Sequence, residues 1–206
     1  MQVEKRKNKS WLIVIGSFIF LTGIGLVSYD YLSNKQVDKQ EESMLEEFYE
    51  IEEAEVINES IEEPQEEIKE VKKQNKVTYI AVLKIPKISL ERGLVDPNSY
   101  LNNVKYNIEW LDGSSMPDEI NGNVAIAGHS GNARVSYFKK LDKLKIGDEA
   151  SITYKGKTYN YKVVSIYDVV KNGEAVIKKE KNTTTMTLIT CRHGTNKQIV
   201  IIFEQV

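Results

Sequence analysis

Nineteen consecutive uncharged residues, Trp11 to Tyr29, constrain this chain more than any other feature. A helix of that length spans about 28 Å, close to the hydrocarbon thickness of a bilayer. No polar stripe interrupts the run, so a helix packed on a soluble core does not fit. Lys5, Arg6, Lys7 and Lys9 precede it and Asp30 ends it. The basic flank predicts a cytoplasmic tail over residues 1–10, a single-pass anchor in the lipid bilayer over 11–29, and everything after it on the extracellular side. A cleaved signal peptide is the competing reading. The run is long for one, and Leu26-Val27-Ser28-Tyr29-Asp30 lacks a small-residue cleavage pattern.

After the anchor the composition changes abruptly. Fifteen of the chain's 30 acidic residues fall between Asp38 and Glu70. Such a segment repels itself and has little to bury, so residues 30–76 are expected to form an acidic, solvated stalk, disordered or partly helical. Leu45, Phe48, Ile51 and Val56 could line one face of a short helix, which is the alternative there.

From Val77 to Val206 the texture is that of a folded domain, long enough for one core. It carries 18 Lys and Arg against 13 Asp and Glu, a net of +5, although the whole chain is at −2. A modest positive surface suits an anionic cell envelope. The basic residues are scattered and the chain is exported, so nucleic acid is not an expected partner. Strand signals lie at 79–83, 123–127, 151–154, 158–167, 184–190 and 199–203, with a hairpin at Lys155-Gly156-Lys157. Residues 137–144 could form one or two helical turns. Many short strands and few helices predict a mainly β domain, a closed barrel or a sandwich.

Cys191 is the only cysteine. Outside the cytoplasm a lone thiol cannot form an internal disulfide, so it is either a small buried hydrophobe or a nucleophile. A nucleophilic thiol needs a partner that favours the thiolate, and histidine is the usual one. His193 is two residues away, which in an extended strand is about 6.6 Å and too far for a direct hydrogen bond. His129 ends an apolar strand and opens the small-residue stretch Ser130-Gly131, a good place to present a side chain at a site mouth. His129 is therefore the expected partner. Cys191 and His193 alone cannot complete a tetrahedral metal site, and no phosphate-binding or dinucleotide motif is present, so no metal or cofactor is expected.

These residues carry a family resemblance. Thr187-Leu188-Ile189-Thr190-Cys191 resembles the T-L-x-T-C strand of sortases, the membrane-anchored cysteine transpeptidases of Gram-positive bacteria. Val124-Ala125-Ile126-Ala127-Gly128-His129-Ser130 resembles their histidine segment, Leu141 to Asp148 the stretch that follows, and Leu83-Lys84-Ile85-Pro86-Lys87-Ile88 the opening strand. The four segments occur in family order across residues 78–206. The resemblance implies an eight-stranded β-barrel with Cys191 and His129 on neighbouring strands. It implies cleavage of an L-P-x-T-G-like sorting signal of an exported surface protein after its threonine, through a thioester on Cys191. His129 would protonate the leaving amine, and an amino group from a peptidoglycan precursor or a pilin lysine would take the acyl group. The short stretch from Tyr167 to Thr184 favours a compact class A- or D-like domain.

One position departs from the family pattern. Gln198 stands where an arginine is expected on the strand after the cysteine. An amide donates a hydrogen bond but brings no charge. Gln198 could serve neutrally, Arg192, Arg134 or Arg92 could reach in, or the enzyme could be slow or inactive. Two rival functions remain on the sequence alone: a surface cysteine peptidase that releases to water, and a non-catalytic envelope-binding barrel with a structural cysteine.

Overall fold

The computed structural model describes residues 10–59, 78–171 and 182–206. In chain order it contains a helix α1 (Ser10–Glu59) and strands β1 (Ala81–Ile85), β2 (Leu90–Leu94), β3 (Glu109–Trp110), β4 (Asn123–Ala127), β5 (Glu149–Tyr154), β6 (Lys157–Val170), β7 (Thr185–Cys191) and β8 (Lys197–Gln205). The basic tail 1–9, stalk residues 60–77 and residues 172–181, on which the class reading leans, lie outside the described residues.

Local chemistry explains much of this pattern. Lys155 and Gly156 both take positive φ, 48° and 70°. Two left-handed residues give the hairpin turn that matches strand twist, so β5 returns directly as β6. Of the one or two helical turns expected over residues 137–144, one is present, the 3-10 turn Leu141–Lys143. β2 and β3 have no clear sequence signal: Arg92-Gly93 breaks the alternation of one, and the other is two residues long. Gly93 is required by its neighbour, because a Cβ there would meet the Tyr79 ring at 2.1 Å.

The eight strands form one sheet in the order β2-β1-β5-β6-β8-β7-β4-β3. All pairs are antiparallel except β4 with β7. The result is the expected mainly β eight-stranded barrel, closed but for the seam between β2 and β3. There side chains replace the ladder: Asn107 Nδ2 donates to Gly93 O at 2.9 Å and Trp110 Nε1 to Val95 O at 2.9 Å. The interior is filled by Leu83, Ile85, Ile126, Leu188, Ile201 and Phe203, among others.

The chain divides into two units, Met1–Ser43 and Met44–Val206. In the first, α1 exposes large apolar side chains such as Trp11, Val14, Phe18, Leu21 and Val27. It is the one described helix long and apolar enough to cross a membrane. In the second, the last part of α1 departs from the expected solvated stalk. Phe48 is only 5 % exposed and packs with Tyr79, Val82 and Val95. The physical reason is strand alternation: Ala81, Leu83 and Ile85 face the core, which turns Val82 outward and leaves an apolar patch to cover. Met44, Leu45 and Tyr49 pack against the same cluster, whereas Ile51 is exposed. The side chain of Val56 lies outside the described residues. Tyr49 Oη donates to Glu91 Oε1 at 2.7 Å, and Lys84 Nζ is 3.3 Å from the other Glu91 oxygen. Burial, then the bond to Glu91, holds the Tyr49 phenol well above its ordinary pKa, so it remains a donor throughout the physiological range.

This packing predicts that residues 44–53 belong to the domain. Phe48→Ala should lower stability by about 3 kcal/mol, and a chain beginning at Lys76 should melt below one beginning at Met44. Identical denaturation curves for the two chains would return this helix to the role of a spacer.

Candidate active site

β7 is central in the sheet, flanked by β4 and β8, and six of its seven residues are buried. That accounts for its nearly continuous apolar and threonine character. Its side chains alternate: Met186 and Leu188 enter the barrel core, whereas Ile189 joins Val200 and Ile202 in a cluster on the other face. Cys191 shares the parity of Ile189 and so lies on that outer face, half-buried at the strand's end.

The parallel register with β4 runs from Asn123 beside Thr185 to Ala127 beside Ile189. It is pinned where it starts, because Thr185 Oγ1 and Thr187 Oγ1 each donate to Asn123 Oδ1 at 2.9 Å. It also continues past the end of β4. Gly128 N–H donates to Ile189 O at 3.2 Å, Thr190 Oγ1 donates to Gly128 O at 2.7 Å, and Ser130 Oγ donates to the Cys191 carbonyl. His129 follows Gly128 and precedes Ser130, both tied to the end of β7, so the chain at His129 runs beside the end of the strand that carries Cys191. Both histidines are exposed; His193 lies in the turn between β7 and β8, closed by Thr195 N–H to Arg192 O at 3.3 Å.

The loop after His129 closes on itself. Phe138 N–H donates to His129 O at 2.9 Å, and the Phe138 ring, fully buried, lies against Gly128. A small cleft of about 20 Å³ beside Cys191 is lined by Ser130, Phe138, Thr190, Arg192 and His193 among others, but not by His129. A larger hollow of about 400 Å³ lies by Thr184 at the far end of β7, lined by Asp118, Tyr159 and Glu204 among others, and includes neither Cys191 nor either histidine.

The four candidates for a third group separate clearly. Gln198 is the ladder partner of Cys191 across β7 and β8, and residues directly opposite in an antiparallel pair share a face. Arg192 is engaged elsewhere: its Nε and Nη2 lie 2.9 Å and 2.7 Å from Asp168 Oδ1. Arg134 is exposed in the loop after His129. Arg92 is buried on the core side of β2, opposite Leu83. The hydroxyls of Thr190 and Ser130 are additions that sequence reading did not single out, although each adjoins a predicted catalytic residue. Among the described residues no group of three or more His, Cys, Asp or Glu is arranged to hold a metal.

The comparisons agree with this architecture. A family model described as a sortase domain matches residues 83–206. Sortase A from Corynebacterium diphtheriae, in a lid mutant, is similar in structure at 25 % identity with a TM-score of 0.57, covering 64 % of this chain and 72 % of that one. Sortase C1 from Streptococcus agalactiae is similar at 28 % identity with a TM-score of 0.56, covering 62 % and 67 %. Among curated proteins none is significantly similar in sequence.

Gly128 supplies a test of the geometry. A Cβ there would come within 2.8 Å of the Phe138 ring. Gly128→Ala should cost about 1–3 kcal/mol in denaturant unfolding, as overpacking does. A variant as stable as the wild type would show that Phe138 does not rest on this glycine.

Proposed function

Because the chain belongs to the sortase family, and its activity is therefore that of a cysteine transpeptidase, we propose that Cys191 is its nucleophile, His129 its acid and base, and Gln198 its oxyanion donor. The Cys191 thiolate attacks the threonine carbonyl carbon of an L-P-x-T-G-like sorting signal on an exported surface protein. The carbonyl electrons move to oxygen, where the Gln198 amide donates a hydrogen bond in place of a cation. The carbon–nitrogen bond to glycine then breaks as His129, as imidazolium, protonates the departing amine, leaving a thioester on Cys191. His129, now neutral, takes a proton from the incoming amine, which attacks the thioester carbon. The carbon–sulfur bond breaks, an amide forms and the thiolate returns. The acceptor is an amino group of a peptidoglycan precursor or a pilin lysine. One imidazole can serve both half-reactions because it alternates between acid and base near neutral pH.

The observation that supports this reading is the β4–β7 register, which ends with Ala127 beside Ile189, two residues short of His129 and of Cys191, with Gly128 and Ser130 tied to Thr190 and Cys191 beyond it. The apolar part of α1 serves as the membrane anchor, with the N-terminus cytoplasmic and the β-domain outside. The catalytic domain then begins at Met44 rather than at residue 77.

Full-length protein in detergent micelles, given an L-P-x-T-G-type peptide with and without an amine, tests this directly. Transfer to the amine should exceed release to water, and Cys191→Ala should abolish both. His129→Ala should lower turnover ~10²–10⁴-fold, with His193→Ala near wild type. Gln198→Ala should cost ~10²–10³-fold, while Arg192→Ala changes little because Asp168 already holds that guanidinium. A large loss in Arg192→Ala with a silent Gln198→Ala would reverse the assignment of the donor. Equal release with and without amine would make the protein a peptidase.

A further inference from the structure

Arg92 is 7 % exposed, an unusual place for a cation, and the catalytic scheme does not use it. Its ladder partner is Leu83, so it faces the barrel interior and away from the face that carries Cys191. Its contacts include a hydrogen bond and a ring stack. Nε donates to Asn107 Oδ1 at 2.6 Å, and the guanidinium carbon lies 3.9 Å from the centroid of the Tyr137 ring. Asn107 is itself fixed to the barrel through Nδ2 to Gly93 O at 2.9 Å. The guanidinium therefore joins the β2–β3 seam to the loop that follows His129.

We propose that Arg92 and Tyr137 are a positioning pair that sets His129 against Cys191; the proposal rests on the catalytic roles assigned above. Tyr137 precedes Phe138, whose N–H donates to the His129 carbonyl and whose ring covers Gly128. A rotation of Tyr137 moves Phe138, and with it the carbonyl of the catalytic histidine. The other end of the loop is tied to β7 by Ser130 and Thr190, which fix the Gly128–Ser130 backbone. Between these ties run residues 131–136, with one turn closed by Ser136 N–H to Ala133 O at 3.0 Å. The loop's shape is thus set from both ends, and Arg92 is the outer one. Arginine suits the position because a flat guanidinium can stack on a ring while its Nε donates in plane; a lysine cannot do both. The pair touches neither substrate nor sulfur and acts only through His129.

The chain has two histidines, which permits a direct reading. In full-length, 15N-histidine-labelled protein in micelles, His193 in the β7–β8 turn is the internal reference. Tyr137→Leu and Arg92→Met should shift or broaden the His129 ring signal and leave His193 unchanged. They should lower kcat roughly 10- to 100-fold, as small misplacements of a reacting group do, with KM within about twofold. Tyr137→Phe keeps the ring and should restore both the signal and kcat. If those two variants do not fold, Arg92→Lys, which keeps the charge and loses the planar stack, should still move the His129 signal. A folded variant with wild-type His129 signal and kcat overturns the proposal, as does equal disturbance of both histidines. A selective His129 shift in a protein that never transfers a peptide would uphold the pair and sink the catalytic reading instead.

Discussion

The parallel pairing of β4 with β7 is the constraint on which the rest of the molecule depends. Parallel strands cannot be joined by a hairpin, so the chain leaves Ala127 and passes through β5 and β6 before Thr185 returns to lie beside Asn123. The register must then be set by the strands themselves. A slip of one residue would turn Cys191 into the barrel core and Thr190 outward. Polar groups oppose that slip at both ends. Asn123 accepts from Thr185 and Thr187 at the start, and Gly128 O accepts from Thr190 at the finish. Each is a buried hydrogen bond that a shifted strand would leave unmade, at a cost of about 1–3 kcal/mol per orphaned group.

The remaining barrel supports that pairing. β8 covers the other edge of β7 along its full length and brings Gln198 opposite Cys191. The sheet's two outer strands, β2 and β3, would otherwise be open edges, which attract unwanted pairing. Asn107 and Trp110 close them with side-chain hydrogen bonds, and Arg92 extends the closure to the loop of His129. A seam made by a few side chains can be tied to a loop in a way that a continuous ladder cannot.

Much of this was legible in the sequence because it is written in local patterns. The apolar run of 19 residues, the strand alternation, the Lys155-Gly156 turn and the stretches around His129 and Cys191 each carry their own physical signature. What escaped reading depends on contacts between distant segments. β2 and β3 are short and exist because their neighbours need partners. Phe48 is buried only because Val82 and Val95 leave a patch for it, and an acidic composition hides that. Arg192 adjoins Cys191 in sequence, yet Asp168, 24 residues earlier, draws its guanidinium away. Gln198 could be noticed from sequence as a departure, but its place beside Cys191 required the register of β8.

The central claim is that Cys191 becomes acylated and that His129 then directs the acyl group to an amine. Intact-mass measurement on the full-length protein, quenched in acid during turnover with an L-P-x-T-G-type peptide, tests it most directly. The account predicts an adduct equal to the peptide up to its threonine, located on Cys191, that decays faster when an amine is present. Peptide cleavage with no adduct on Cys191, or an adduct whose decay ignores the amine, would contradict it.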